Sequence, residues 1–421
     1  MLDIKFIRDN KDAVAAGAKK KHINFNVDEL ITVDDERRTI LLKVEEKRAK
    51  QNAVSEKIPQ AAPEEKAVLL AEMKTLKEDI QKDEETLREI MKKWQLLMVQ
   101  VPNVPDMTVP DGDDDADNQE VKKWGAQNTF TFAAKNHIDL MKDLDMADFE
   151  KGAEVAGFRG YFLKNAGAVL TFAIWNYARD FWMKKGFQFM IVPSLVRKQT
   201  LLGSGYLPQG EEDLYKTQDE DYLAGTGEVS AMSYFTDTVI DAKKFPIKVL
   251  AFSPCFRREA GAHSKDTKGL IRVHEFFKME QVVLCEANHE TSAALHEEIN
   301  RNTEEFIESL GIPYHTVVNC GGDLGLGQVK KFDIELWVPG EQTYREISSA
   351  SYFHDFQTRR LNIRYRDTDE KLRFAHSLNC TAIPTPRILV SLVENFQQAD
   401  GSIKVPEALV PYMGKEFIKK D

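Results

Sequence analysis

Phe256-Arg257-Arg258-Glu259-Ala260-Gly261, then Arg272-Val273-His274-Glu275-Phe276-Phe277-Lys278-Met279-Glu280, and far downstream Thr381-Ala382-Ile383-Pro384-Thr385-Pro386-Arg387-Ile388-Leu389, are the stretches on which this chain turns. Together they supply fixed cations for phosphates, an aromatic face for a base and carboxylates for an amine or hydroxyl. Arginine suits the first task because its planar fork pairs with carboxylate or phosphate through parallel hydrogen bonds and stays charged. Attack of a carboxylate on the α-phosphorus of ATP needs little covalent help. The site must hold two anions together and stabilise the charge that develops. The set points to activation of a small amino acid with ATP. Arg257 follows a predicted strand ending near Phe252, and Glu259 can meet an adenine amine or orient the arginine. The strand period of two places Phe276, Lys278 and Glu280 on one face. Taken alone, that stretch also reads as an amphipathic strand with a buried Phe and surface charges.

Upstream lies the clearest architectural pattern. Leu30, Val33, Arg37, Ile40, Val44, Lys47, Gln51, Val54 and Ile58 recur at alternating spacings of three and four, as do Leu69, Met73, Leu76, Ile80, Asp83, Leu87, Ile90, Trp94, Leu97 and Val101. Each series is a heptad seam. Pro59 and Pro63 bracket the break, because proline cannot continue a helix interior. The spacing predicts an antiparallel coiled-coil hairpin over about 28–101, with arms roughly 45–50 Å long at 1.5 Å per residue. The polar seam positions Arg37, Lys47, Gln51 and Asp83 are expected to fix register. Residues 1–105 form an expected N-terminal domain with this arm, 106–128 an acidic linker marked by Pro110, and 129–421 a globular body. In the body, 187–192, 248–252, 280–284, 332–338 and 345–349 read as strands, and 166–185 and 290–310 as helices. No strand–helix–strand repeat occurs, so the expected class is α+β, with a mixed or antiparallel sheet and flanking helices.

The chain has 421 residues, 42% hydrophobic and 30% charged, with a net charge of −11. That balance argues against a wholly basic nucleic-acid binder, but distribution matters more than the sum. Asp111–Glu120 holds six acids and no base, while Lys19-Lys20-Lys21 and Lys43, Lys47, Arg48 and Lys50 are basic. No apolar run approaches a membrane span and the first residues carry charge throughout, so cytoplasmic residence without membrane attachment is expected. Cys255, Cys285, Cys320 and Cys380 are widely spaced, which gives no reason to expect zinc or disulfides. There is no phosphate-binding G-x-x-x-x-G-K-[ST] loop. Gly321-Gly322-Asp323-Leu324-Gly325-Leu326-Gly327 reads as a loop, and His274 as structural.

These segments resemble the seryl-tRNA synthetases of the bacterial type, over nearly the whole chain. Residues 256–261 with 266–274 are similar to the family's second signature motif, and Thr385–Leu389 with Glu394-Asn395 to its third. Thr226-Gly227-Glu228 is similar to its serine-binding loop. Gly322–Gly325, Tyr344–Ser349 and Asp355–Leu361 are similar to further family blocks. The resemblance implies a six- or seven-stranded antiparallel class II synthetase catalytic sheet with a helical tRNA-binding arm. It implies that Thr226 and Glu228 meet the amino group of serine, with Gly227 between them in the serine site, that Glu280 and Thr381 meet its hydroxyl, and that Asn379 orients the pocket. Arg257 is implied to bridge serine carboxylate and α-phosphate, and Glu259 to contact adenine. Phe276 and Arg387 are implied to sandwich the ring, with Arg387 also reaching the γ-phosphate. Arg257, Glu259 and Arg387 form the implied catalytic set. Arg258, Val273, Ile347 and Ser348 complete the implied ATP site, with Glu346 and Ser349 holding Mg²⁺ through ATP. The implied partners are tRNA(Ser), tRNA(Sec) and a second copy of the chain. Ser351-Tyr352-Phe353 and Ala231-Met232-Ser233-Tyr234 depart from the family pattern.

Two other readings are open to the sequence. One is a paralogue that loads a carrier protein, which the arm argues against. The other is a non-catalytic RNA-binding descendant, which Arg257, Glu280 and Arg387 argue against.

Overall fold

The structure is a computed structural model, and it describes residues 1–261 and 266–420. The chain divides into two compact units, one of Leu2–Lys19 and Ile23–Pro102, the other of Met1, Lys20–His22 and the chain from Asn103 onward.

The first unit is dominated by helices α1 (Val27–Lys57) and α2 (Pro63–Met98). The Asn26 side chain caps α1 by accepting from the Glu29 amide, satisfying one orphan donor of the first turn. Pro63 occupies the first turn of α2, where its missing N–H costs nothing. Contacts run in opposite senses along the two helices. Arg37 lies 4.8 Å over the Trp94 ring, Lys47 Nζ is 2.7 Å from Asp83, and Ser55 meets Met73. Three of the four polar seam positions are therefore satisfied within the hairpin, while Leu30, Val33, Val44, Val54 and Ile80 are buried along it.

The second unit is built on an eight-stranded sheet of β1 (Gln119–Trp124), β2 (Gln188–Ile191), β3 (Ile247–Phe256), β4 (Glu275–Cys285), β5 (Tyr314–Val318), β6 (Lys330–Val338), β7 (Thr343–Tyr352) and β8 (His376–Thr385). Their spatial order is β1-β5-β6-β7-β8-β4-β3-β2. All neighbours are antiparallel except the edge pair β2–β3, which is parallel. Helices α3 (Asn165–Lys184) and α5 (His289–Leu310) contribute Leu170, Ile174, Trp182, Ile299, Phe306 and Ile307 to the main core. Two shorter helices, α4 (Glu228–Ser233) and α6 (Arg387–Asn395), carry site residues.

The stretch 106–128 is not a free linker throughout. Gln119–Trp124 pairs antiparallel with β5, Lys122 reaches Glu304 at 2.5 Å, and Trp124 stacks on Tyr314. Its mostly exposed, charged side chains suit an edge strand, and they hide it in the sequence. The Tyr352 departure lies inside the body, with its hydroxyl donating to Asp106 at 2.8 Å. Ala231 and Met232 are buried, and Tyr234 is exposed.

Candidate active site

Strand alternation decides which side chains reach the site. On the face toward α5, Gln281 bonds Ile299 and Thr303, and Cys380 lies against Thr303. Glu280 and Thr381 therefore point to the opposite face. The β4–β8 register shifts between Met279 and Glu280, and such a bulge next to a site re-aims side chains. Phe276, Lys278 and Glu280 share one face as the period of two requires. However, Lys278 and Glu280 are buried rather than on the surface, and they pair at 2.5 Å. The Thr381 hydroxyl donates to Glu280 at 3.3 Å.

Beside this pair lies a cavity of about 590 Å³ bounded by Arg257, Glu259, Arg272, Glu346 and Arg387. A narrower cleft shares Arg257, Glu259, Glu346 and Arg387 and adds Val273, Phe276, Lys278, Ile347 and Thr381. The two separated arginines of the sequence thus face one space. Arg387 opens α6 directly after β8. Its Nε donates to the Ile271 carbonyl at 2.8 Å and its Nη1 to the Glu346 carbonyl at 2.9 Å. Burial draws its pKa down, and Arg257 and Arg272 add repulsion. An anion entering the cavity relieves that repulsion. The Arg257 Nε donates to the Gly225 carbonyl at 3.3 Å, and its guanidinium lies 5.3 Å from the Phe276 ring centre. Glu259 is ion-paired with Arg272 and holds a left-handed backbone, φ 55°.

Thr226 and Glu228 are buried at the start of α4. Glu228 accepts from Gln357 Nε2 at 2.6 Å. Burial pushes its carboxyl up to about 7, the Glu280 charge adds to this, and Gln357, Lys278 and Asn379 pull the other way. Gly227 packs against β3, where a Cβ would stand 3.2 Å from Ser253 Oγ. At the far side Ser349 donates to Asp333 at 2.6 Å. Asp333 is pushed up to about 6 by burial, with Glu346 adding repulsion against the pull of Lys331.

Three expected ATP-site residues, Arg258, Ser348 and Ser349, are not among the cavity-lining residues. Arg258 is exposed and donates to the Glu212 carbonyl. Ser348 sits on the opposite parity of β7 from Ser349, and its hydroxyl donates to the Thr381 carbonyl at 2.6 Å. Their neighbours in the same motifs, Arg257, Glu259, Glu346 and Ile347, take the lining positions, and Ser349 meets the cavity only through Asp333. Sequence reading missed Asp323, Lys331 and Asp333, which line the cavity. The alternation Phe332-Asp333-Ile334-Glu335-Leu336 is a signal that could have flagged Asp333.

A large antiparallel sheet with paired arginines and a buried acidic niche defines the catalytic core of a class II aminoacyl-tRNA synthetase. Residues 213–396 match the family model described as the tRNA synthetase class II core domain (G, H, P, S and T), and residues 1–105 match the seryl-tRNA synthetase N-terminal domain. The chain is 43% identical to the serine–tRNA ligase of Deinococcus radiodurans, with 98% of each chain covered, and 41% identical to that of Thermodesulfovibrio yellowstonii, with both covered in full. Its structure is similar to that of seryl-tRNA synthetase from Pyrococcus horikoshii complexed with ATP (TM-score 0.91, 37% identity, both chains covered in full). It is also similar to the cytoplasmic serine–tRNA ligase of Naegleria fowleri in complex with AMP (TM-score 0.88, 33% identity, 100% and 99% covered). The chain belongs to the seryl-tRNA synthetase family.

Proposed function

We propose that this protein activates L-serine with ATP and transfers it to the 3′ end of tRNA(Ser). A serine carboxylate oxygen attacks the α-phosphorus and pyrophosphate leaves. A terminal ribose hydroxyl of the tRNA then attacks the seryl carbonyl and AMP leaves. The observation that carries this reading is Glu280, buried between Lys278 and Thr381 and adjoining the space that Arg257 and Arg387 share. In this reading Arg257 holds the serine carboxylate against the α-phosphate, and Arg387 and Phe276 clasp adenine. Glu259 and Val273 meet the nucleotide edge. Thr226 and Glu228 receive the ammonium group, and Asn379 fixes Glu228. Thr381 and Glu280 receive the hydroxyl. An analogue lacking that hydroxyl leaves buried polar groups unpaired, the kind of penalty that gives strong discrimination. Serine-dependent exchange of pyrophosphate into ATP tests the reading, and folded protein without such exchange defeats it.

The Glu346 carboxylate and Ser349 hydroxyl, with Asp333 alongside, are hard oxygen donors in mutual carboxylate repulsion, a set that suits Mg²⁺. Bound there with ATP, the ion would neutralise phosphate charge. The four cysteines are all buried, and among the described residues no three His, Cys, Asp or Glu side chains are disposed to hold a metal ion. We assign tRNA binding to residues 1–105 and catalysis to the body. The same chemistry would serve tRNA(Sec), which we propose as a second acceptor. Val155, Phe158, Phe162, Val169 and Phe172, exposed apolar side chains within one short stretch of chain, support a homodimer, since exposed apolar surface marks interaction sites. A solution mass of twice the chain tests that. No helix among the described residues is long and apolar enough to cross a membrane, and a cytoplasmic enzyme is the reading we propose.

A further inference from the structure

We infer that Lys278 is a positioning residue that sets the charge of the serine niche: paired with Glu280, it leaves Glu228 as the carboxylate that receives the ammonium group. This rests on the reading of the niche as one for L-serine. Lys278 is nine-tenths buried on the site face of β4. Its Nζ lies 2.5 Å from Glu280 Oε2 and 3.5 Å from Thr381 Oγ1. It therefore touches both groups assigned to the serine hydroxyl and stands behind them as a counter-charge. Removing a buried lysine's partner is costly, and so is removing the lysine from a buried carboxylate.

Glu228 is held differently. Its partners are neutral amides, Gln357 Nε2 at 2.6 Å and Asn379. The Gln357 amide is itself fixed in direction, because its oxygen accepts from Ser377 Oγ at 2.7 Å. The other ionisable groups acting on this region are Tyr206, Cys255, Cys380 and Arg257. In the proposed complex Arg257 is engaged by the serine carboxylate. Lys278 is then the cation that keeps two carboxylates from competing for one proton, since like charges sharing a buried site cannot both ionise. Burial of the niche raises Glu228, and Lys278 opposes that rise.

The test is pyrophosphate exchange in the full-length native enzyme and in Lys278→Met and Lys278→Arg, with serine and ATP varied between pH 6 and 9. Lys278→Met is expected to raise KM for serine about tenfold or more, the scale of a hydrogen bond to a charged group, with KM for ATP unchanged. In the native enzyme kcat/KM for serine is expected to rise with pH through about 7, as Glu228 ionises. In Lys278→Met that rise is expected to move to higher pH by about one unit. Lys278→Arg should restore the native pH profile. A Lys278→Met enzyme with unchanged KM for serine and an unmoved profile, altered only in thermal midpoint, overturns the inference. If Lys278→Met does not fold, Lys278→Gln, which keeps a hydrogen-bond donor toward Glu280 but no charge, must show the same displacement to higher pH; a native profile there overturns it as well. Native enzyme without serine-dependent exchange would instead defeat the functional reading.

Discussion

Thr381 and Glu280 sit one strand apart, and the hydroxyl of the first donates to the carboxylate of the second. Replacing Thr381 with Val keeps the shape and leaves Glu280 paired with Lys278, so folding should survive. We expect kcat/KM for serine to fall about tenfold, the weight of one hydrogen bond to a charged group, with alanine activation unchanged. Pyrophosphate exchange with each amino acid measures this. Equal losses for both amino acids would show that Thr381 does not read the hydroxyl. At this scale the sequence was informative where period and chemistry coincide, as at Phe276, Lys278 and Glu280. It did not separate Arg258, Ser348 and Ser349 from the cavity-lining residues, because a motif names neighbours without saying which side of the backbone each takes. Asp323 was not legible, since it is fixed in a short turn by Asn319, Lys331 and the distant Asn118, with no periodic pattern to aim it.

The hairpin was legible because two seams with proline punctuation admit few other folds. Its interior pairs, Arg37 with Trp94 and Lys47 with Asp83, link positions that a linear reading can only place on the same seam. Strand β8 was not recognised as a strand. All ten of its residues are buried, so no polar alternation marks it, and Pro384 within it reads as a breaker. Strand β1 was concealed by the acid-rich stretch that leads into it. Because the arm belongs to a compact unit separate from the sheet, deleting residues 28–101 should leave serine-dependent pyrophosphate exchange within about twofold, since uncoupled sites are nearly additive, while tRNA charging is lost. Loss of both together would refute the division of labour.

Across the whole molecule, acid should weaken the fold through buried histidines. Burial draws His296 and His354 down to about 4 and His376 to about 3. An unfolded histidine takes its proton near 6.5, so the stability these groups provide is complete above that value. It is lost as pH falls from about 6.5 toward 4, where the unfolded chain binds protons that the folded chain refuses. His354 holds a left-handed backbone, φ 50°, which asparagine also tolerates. Urea midpoints of the native protein and His354→Asn should converge as pH drops from 6.5 to 4. Glu228 and Asp333, held high, act with the opposite sign and cancel in that comparison. A constant gap would mean that His354 is not excluded from protonation. One more consequence follows from β8. Asn379, Thr381 and, just past its end, Arg387 hang from one wholly enclosed strand, so the spacing between the amino-acid seat and the nucleotide clasp we propose is as unyielding as the backbone itself. Evolution or engineering toward a bulkier amino acid has to hollow out side chains, because this ruler does not stretch.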